Sequence, residues 1–283
     1  MLTPPTEWIA DWATRPRCAS FDFAAAWHPL ADWPTQGDYD QLLHHARQHT
    51  PDLPTALRFV LDLDPEAYYE MHIAQTGEVP TRAQNWHDWF NALAWLAWPR
   101  LKTALNQRHH WAIAEQGESR RGPYRDAATL LDESGVLVPY ADSRLADALD
   151  AMDWHYLFIE RRDAWGRDIA AHTIGHAIAE ASLTPFIGWT AKAWLIEVEP
   201  TFFAASPAEQ RAHLDRRCAQ ALSDPMQLST PRQLPPLPVL GIPHDWPANA
   251  DPAFYRDTDY FRPSRRNPMP ATRLKLADHT PTL

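Results

Sequence analysis

Cysteine, glycine, long apolar runs and basic clusters are all scarce in this chain, and each shortage removes a class of protein. The two cysteines, Cys18 and Cys218, form no Cys-x-x-Cys pair and cannot build a disulfide framework, so a reducing compartment is expected. Only nine glycines are present, and none falls in a Gly-x-Gly-x-x-Gly turn, a phosphate-binding loop or a Gly-x-Ser-x-Gly elbow. Nucleotide-cofactor and serine-hydrolase chemistry therefore have no motif here. The longest apolar run, Ala92–Trp98, is far shorter than the ~20 residues a membrane helix needs. The N-terminus, MLTPPTEWIADW, has neither a basic nor an apolar leader segment. A net charge of −10 opposes phosphate backbones, which excludes a general nucleic-acid binder. A cytoplasmic, soluble protein with no membrane and no nucleic-acid partner is expected.

Tryptophan and proline are abundant instead: 14 and 27 residues. Four of the tryptophans lie in Asn85–Arg100, NWHDWFNALAWLAWPR. At about 100° per residue His87, Asp88 and Asn91 share one polar arc of a helix, which Trp95 and Trp98 extend. With Asn85 as N-cap, Asp88 is the third helical residue, where a carboxylate suits the helix dipole and can bond back to the cap. That role suffices for Asp88. It leaves His87 and Asn91 between bulky aromatics, where a buried polar group without a partner costs ~1–3 kcal/mol. His87 at a helix start suits a general base whose neutral form the dipole favours, or a metal ligand.

The rest of the chain reads as an α+β fold, predominantly helical, in a single domain spanning 1–283. Residues 1–37 form an irregular arm packed by its aromatics, 38–224 a mainly helical core, and 225–283 a proline-rich tail wrapped on that core. Twelve of the 27 prolines fall in the tail, so it cannot be regular helix. Helices are expected over Asp38–His49, Pro65–Gln75, from Trp86 to Pro99, over Leu101–Gln116, near Ser143–Arg162 and Asp163–Ser182, and from the capping box Ser206-Pro-Ala-Glu209 to about Leu222. Leu57–Leu63 reads as a strand. Thr129–Val138, TLLDESGVLV, reads as a hairpin whose tip holds Asp132, Glu133 and a positive-φ Gly135.

Two further constellations carry chemistry. His172, His176 and Glu180 are spaced by four, which on a helix makes either a solvated polar stripe or a two-histidine ligand pair suited to Zn, Mn or Fe. Thr173 stands where the familiar zinc-protease motif has glutamate, so that motif is absent. Arg125 and Asp126, behind Arg120 and Arg121, make either a local ion pair or an anion-binding loop.

Taken together, VPTR (Val79–Arg82), NWHDWFNALAW (Asn85–Trp95), Pro99 with Lys102 and Asn106, RDAATLLDESG (Arg125–Gly135), GHAIAE (Gly175–Glu180), TAKA (Thr190–Ala193), LGIP (Leu240–Pro243) and FYRDTDYFRPSR (Phe254–Arg265) resemble a bacterial family, domain of unknown function 3025. The resemblance spans nearly the whole chain in order and implies one family domain. It places His87, Asp88, Asn91, Arg125, Asp126, Asp132, Glu133, His176 and Glu180 on motif positions and leaves His172 outside them. It implies no reaction.

Two functions follow from these residues. One is a hydrolase-like small-molecule enzyme with the His87 and His176 segments facing one pocket. His87, Asp88, Asn91, Asp126, His176 and Glu180 then supply acid–base chemistry, or four of them (His87, Asp88, His176, Glu180) a divalent metal, while Arg125, Trp95 and Trp98 line the ligand. The other is a non-catalytic binding protein in which the same residues form a buried hydrogen-bond network. The two require different geometry, and the test is whether His87 and His176 converge.

Overall fold

The computed structural model describes residues 3–65, 68–116, 122–265 and 269–276. The chain is a predominantly helical α+β fold, and none of its described helices is long and apolar enough to cross a membrane. Two α-helices come first: the short α1 (Asp22–Trp27), inside the arm expected to be irregular, and the longer α2 (Gln36–His49). In α2, Thr35 and Asp38 close a reciprocal capping box, which fixes the start two residues before the expected one. A compact unit follows of β1 (Arg58–Leu61), α3 (Tyr69–Thr76) and β2 (Glu78–Thr81). β1 and β2 pair in parallel. Parallel neighbours need a crossover, and α3 supplies it, stopped by Gly77 at φ 75°.

The Trp-rich helix α4 (Trp86–Ala97) starts at Asn85, whose side chain accepts the Asp88 N–H. Pro99 then opens α5 (Pro99–Gln116). The free N–H groups of Arg100 and Leu101 at that start are taken by the buried Asp215 carboxylate, at 3.1 and 2.9 Å. Asp215 belongs to α9, described below, so one side chain caps α5 and fastens two helices together. Trp8 of the arm stacks on Trp86 at 4.6 Å and meets Trp33 and Trp89 edge-on. Most of the tryptophans are accounted for by this aromatic core.

The expected hairpin is a helix and a strand. α6 (Pro123–Ser134) runs straight into β3 (Gly135–Tyr140). Gly135 has φ −79°, so no turn forms there. What its missing Cβ permits is close approach, because a Cβ would lie 2.2 Å from the Leu131 carbonyl oxygen. Asp132 and Glu133 therefore ride the last turn of α6. The two long helices expected between 143 and 182 are also broken. After α7 (Ser143–Ala151) the chain makes one π turn at Tyr156–Glu160, then β4 (His172–Thr173) and α8 (His176–Ala181). His172 is in a strand and His176 begins a helix, so the spacing of four does not align them on one face.

β5 (Thr190–Glu197) is the central strand, parallel to β3, and β4 pairs antiparallel on the far edge of β3. α9 (Pro207–Ala221) starts at the expected Ser206–Glu209 box. Among its described residues the tail then gives β6 (Pro236–Pro238) and β7 (Arg273–Leu274), which pair with the two ends of β5, and otherwise only short 3-10 turns. Alternation along β5 divides the sheet between two cores: Trp194 and Ile196 join the Trp-rich helical side, while Ala193 and Leu195 join a second cluster with Phe158 and Phe261.

Candidate active site

A cavity of about 610 Å³ lies between the β1–α3–β2 unit and helices α4, α5, α6 and α8. His87 comes from the first turn of α4, and His176 is the first residue of α8. Their Nε2 atoms meet at 2.9 Å with the rings perpendicular, 86° apart. The expected convergence is real, and it is closer than a shared pocket requires. Each outer nitrogen looks at a carboxylate: His87 Nδ1 is 3.1 Å from Glu180, and His176 Nδ1 is 3.9 Å from Asp132. Asp132 Oδ1 takes the Lys102 ammonium at 2.5 Å, Lys102 also donates to Asn91 Oδ1 at 2.9 Å, and Asn91 Nδ2 donates to the Tyr69 hydroxyl at 2.8 Å. One line of polar groups thus runs from Glu180 through His87, His176, Asp132, Lys102 and Asn91 to Tyr69.

Proton placement along this line is constrained. Glu180 can only accept, so His87 Nδ1 carries a proton. If His87 is neutral, its Nε2 is a lone pair, His176 must donate Nε2–H to it, and His176 Nδ1 is left a bare, buried acceptor facing a carboxylate. If His87 is an imidazolium, it donates in both directions, and His176 turns an Nδ1–H toward Asp132. The charged state leaves no bare acceptor facing a carboxylate, and it aims the His176 Nδ1–H at Asp132 across a 3.9 Å gap too long for a hydrogen bond.

The electrostatics agree. Burial works against the charge on His87, but the Glu180 hydrogen bond and charge, with Asp88 and Glu133, hold its pKa above the ordinary 6.5. The neutral form expected from the helix dipole is overridden by these carboxylates. His176 is the opposite case. Burial pushes it down to about 3, with Lys102 and His87 adding to the shift and Asp132 opposing it. Asp132 is held below the usual carboxylate value: burial opposes ionisation, and the Lys102 charge and hydrogen bond outweigh it.

These shifts predict opposed pH limbs. Stability from the charged His87 is complete below pH 6.5 and is lost as pH rises through its higher folded-state value. His176 loses stability as pH falls from 6.5 toward about 3, because the unfolded chain takes up a proton there that the folded chain refuses. Melting curves between about pH 4 and pH 8 should therefore show Glu180→Gln removing the loss on the alkaline side and His176→Gln flattening the acid side. Identical profiles for the wild type and both variants would dissociate the histidines from the stability.

Several expected residues do something else. Asp88 does not orient His87; its carboxylate accepts the Arg82 backbone N–H at 2.7 Å and both sides of the Arg82 guanidinium at 2.9 Å, closing the turn before α4. It still lines the cavity, as does Trp95, whose ring lies 5.3 Å from the Lys102 nitrogen. Trp98 lies outside the cavity, fully buried, with its indole N–H on the Thr173 carbonyl. Arg125 is buried against the Tyr68 ring and is not in the cavity wall; Asp126 is exposed in the first turn of α6. Arg120 and Arg121 lie outside the described residues. His172 is elsewhere, edge-on to Phe202.

Tyr69, Lys102 and Asp132 were missed as site residues. Lys102 had a readable signal, a cation four residues past the buried Trp98, one helical turn on, and directly after the buried Leu101. Asp132 stood on a motif position, but the hairpin reading gave it the role of a turn former, and Tyr69, on a distant helix, had no signal.

Residues 57–265 match the family model described as Protein of unknown function (DUF3025). The chain belongs to the DUF3025 family. No curated protein and no solved structure matches the chain. The DUF3025 span contains every member of the line from Glu180 to Tyr69. A metal centre in this DUF3025 member would need more than the relay offers. Only the two imidazole nitrogens converge, one short of the usual three protein ligands of a catalytic zinc. Among the described residues no group of three or more His, Cys, Asp or Glu side chains is placed to hold an ion.

Proposed function

We propose that this protein is a hydrolase-like acid–base enzyme acting on small molecules in the His87–His176 cavity. The observation that carries the reading is the Nε2–Nε2 contact with a carboxylate at each outer nitrogen. A proton delivered to His176 Nδ1 is passed as charge to His87, since the Nε2 proton shifts across the 2.9 Å contact. The atom that takes the proton and the ring that holds the charge are then different. A histidine too buried to stay charged still works as a base, because Glu180 stabilises the charge one ring away. In the form with neutral His87, water held beside Asp132 and the bare His176 Nδ1 would lose its proton there as it attacks the substrate, giving the charged form, and the same relay would return the proton to the leaving group.

Charge supports a substrate class. Asp62, Asp64, Asp88, Asp132 and Glu133 line the cavity, while its two permanent cations, Arg82 and Lys102, are already paired with Asp88 and Asp132. The remaining negative field favours a molecule carrying an amine or guanidinium.

The test is turnover of a panel of amine-bearing and neutral esters, amides and phosphoesters. The reading expects activity on cationic members and a loss of about 10²-fold or more in kcat for His176→Gln and His87→Gln. A second reading, a non-catalytic binding protein, is favoured by one observation: Lys102 and Asn91 already satisfy each other and Tyr69, as a structural network does. It expects no turnover and a large fall in melting temperature for His176→Gln, where a catalytic residue would cost little stability.

A further inference from the structure

A second cavity, of about 570 Å³, opens at the β5–β6 edge of the sheet and shares no wall residue with the first. Its floor follows from register. Thr190 pairs with Pro238 and Lys192 with Pro236, so these four side chains share one sheet face. Prolines donate no backbone hydrogen bond, and this floor is left uncovered by further strands. Met152, Trp154 and Tyr260 supply apolar walls.

The charge here is opposite to that of the whole chain. Lys192, Arg232, Arg262 and Arg265 line the cavity against one carboxylate, Asp259. Arg265 is paired with Asp150. Lys192, Arg232 and Arg262 make no ion pair among the described residues. Lys192 is half-buried in the floor, and its charged form is disfavoured first by burial and then by Arg265. Holding a partly desolvated ammonium that has no ion pair of its own beside a guanidinium already taken by Asp150 works against the fold. A protein with net charge −10 has carboxylates enough to cover such a patch, yet among the described residues three cations here are left without an ion pair.

We propose that this cavity is a binding site for a small organic anion, a carboxylate or phosphate monoester attached to an apolar ring or branched body. Lys192 and the arginines take the anionic head, for which guanidinium forks are geometrically suited. Met152, Trp154 and the prolines hold the body. The volume lies within the range of small-molecule sites. The site is independent of the proposed catalysis and stands or falls separately.

Titration calorimetry with benzoate, phenyl phosphate and inorganic phosphate, against neutral benzamide, tests the assignment on the full chain. Benzoate or phenyl phosphate should bind, benzamide should not, and Lys192→Met should weaken binding at least tenfold. Arg262→Gln, at an exposed position, gives a second variant with little risk to folding. Inorganic phosphate binding as well as phenyl phosphate would remove the role given to the apolar walls. Benzamide binding as tightly as benzoate, or binding unchanged in both variants, would overturn the site. His176→Gln should bind these probes as the wild type does, and a loss there would place the anion in the first cavity instead.

Discussion

Lys102→Met should destabilise the folded protein by about 3 kcal/mol at neutral pH, read as a lower denaturant midpoint at unchanged slope. The methionine keeps most of the apolar stem beside Trp95 but removes the ammonium. Lys102 is 3% exposed, so nothing replaces the lost donor to Asn91 Oδ1, and Asp132 loses its closest countercharge. Breaking a buried pair from one side costs about 3–5 kcal/mol because the other charge stays behind. The Asp132 side chain keeps 25% of its exposure, so water screens part of that penalty and the lower end applies. Its carboxyl is held low in the wild type, so the stability it gives is present above the ordinary 3.8 and lost as pH falls through the depressed folded value. In Lys102→Met that acid-side loss should shrink. Replacing both partners, Lys102→Met with Asp132→Leu, should recover much of the stability, since no charge is stranded. A single variant as stable as wild type would mean that Asp132 is solvated and the relay ends at His176.

Local signals carried the fold where the sequence states its own boundaries. Asn85, the Ser206–Glu209 box, Gly77 and Pro99 each mark an end by capping or backbone chemistry, and each end falls where that chemistry puts it. The failures share a cause. Asp-Glu-Ser-Gly is good turn chemistry, yet in Thr129–Val138 it closes a helix, because Gly135 is present for contact with Leu131 rather than for a positive φ. His172 and His176 obey helical spacing, yet Gly175 lies between them as an N-cap and the helix starts only afterwards. Spacing alone cannot reveal that interruption. For the site, the sequence offered His87, Asn91, His176 and Glu180 as polar groups among apolar ones, which is a local property. It could not offer Asp132, Lys102 and Tyr69 as their partners, because those meetings depend on how α3, α5 and α6 cross α4.

The same glycine yields the sharpest test of how the relay is held. Gly175→Ala should lower stability by about 2–3 kcal/mol and disrupt the His87–His176 contact. The residue sits at φ −64° and ψ 113°, which alanine adopts freely, so no backbone strain enters. The obstacle is contact: a Cβ would lie 2.5 Å from both the Glu133 carbonyl oxygen and the Gly135 nitrogen. Those are backbone atoms at the α6–β3 junction, and they cannot rotate aside as a side chain would. Gly175 N–H also donates to the Gly135 carbonyl at 2.8 Å, so the two segments are bonded where they would be pushed apart. Ordinary contact begins near 3.4 Å, so α8 must withdraw by close to an ångström. His176 follows Gly175 directly and Asp132 precedes Glu133, so the displacement falls on the 3.9 Å gap and the 2.9 Å contact that define the relay. A shift of about 1 Å in a reacting group can cost about 10²-fold in rate. Nitrogen NMR of the imidazoles reads the effect without a substrate: Gly175→Ala should move the His87 and His176 resonances toward uncoupled rings. Gly166→Ala is the control. Gly166 has φ +84° with nothing near its missing Cβ, so it should cost about 1 kcal/mol of local strain and leave both imidazoles unchanged. If Gly175→Ala matches wild type in both stability and ring resonances, α8 has slack at its start, and the relay is positioned by α4 and Glu180 alone.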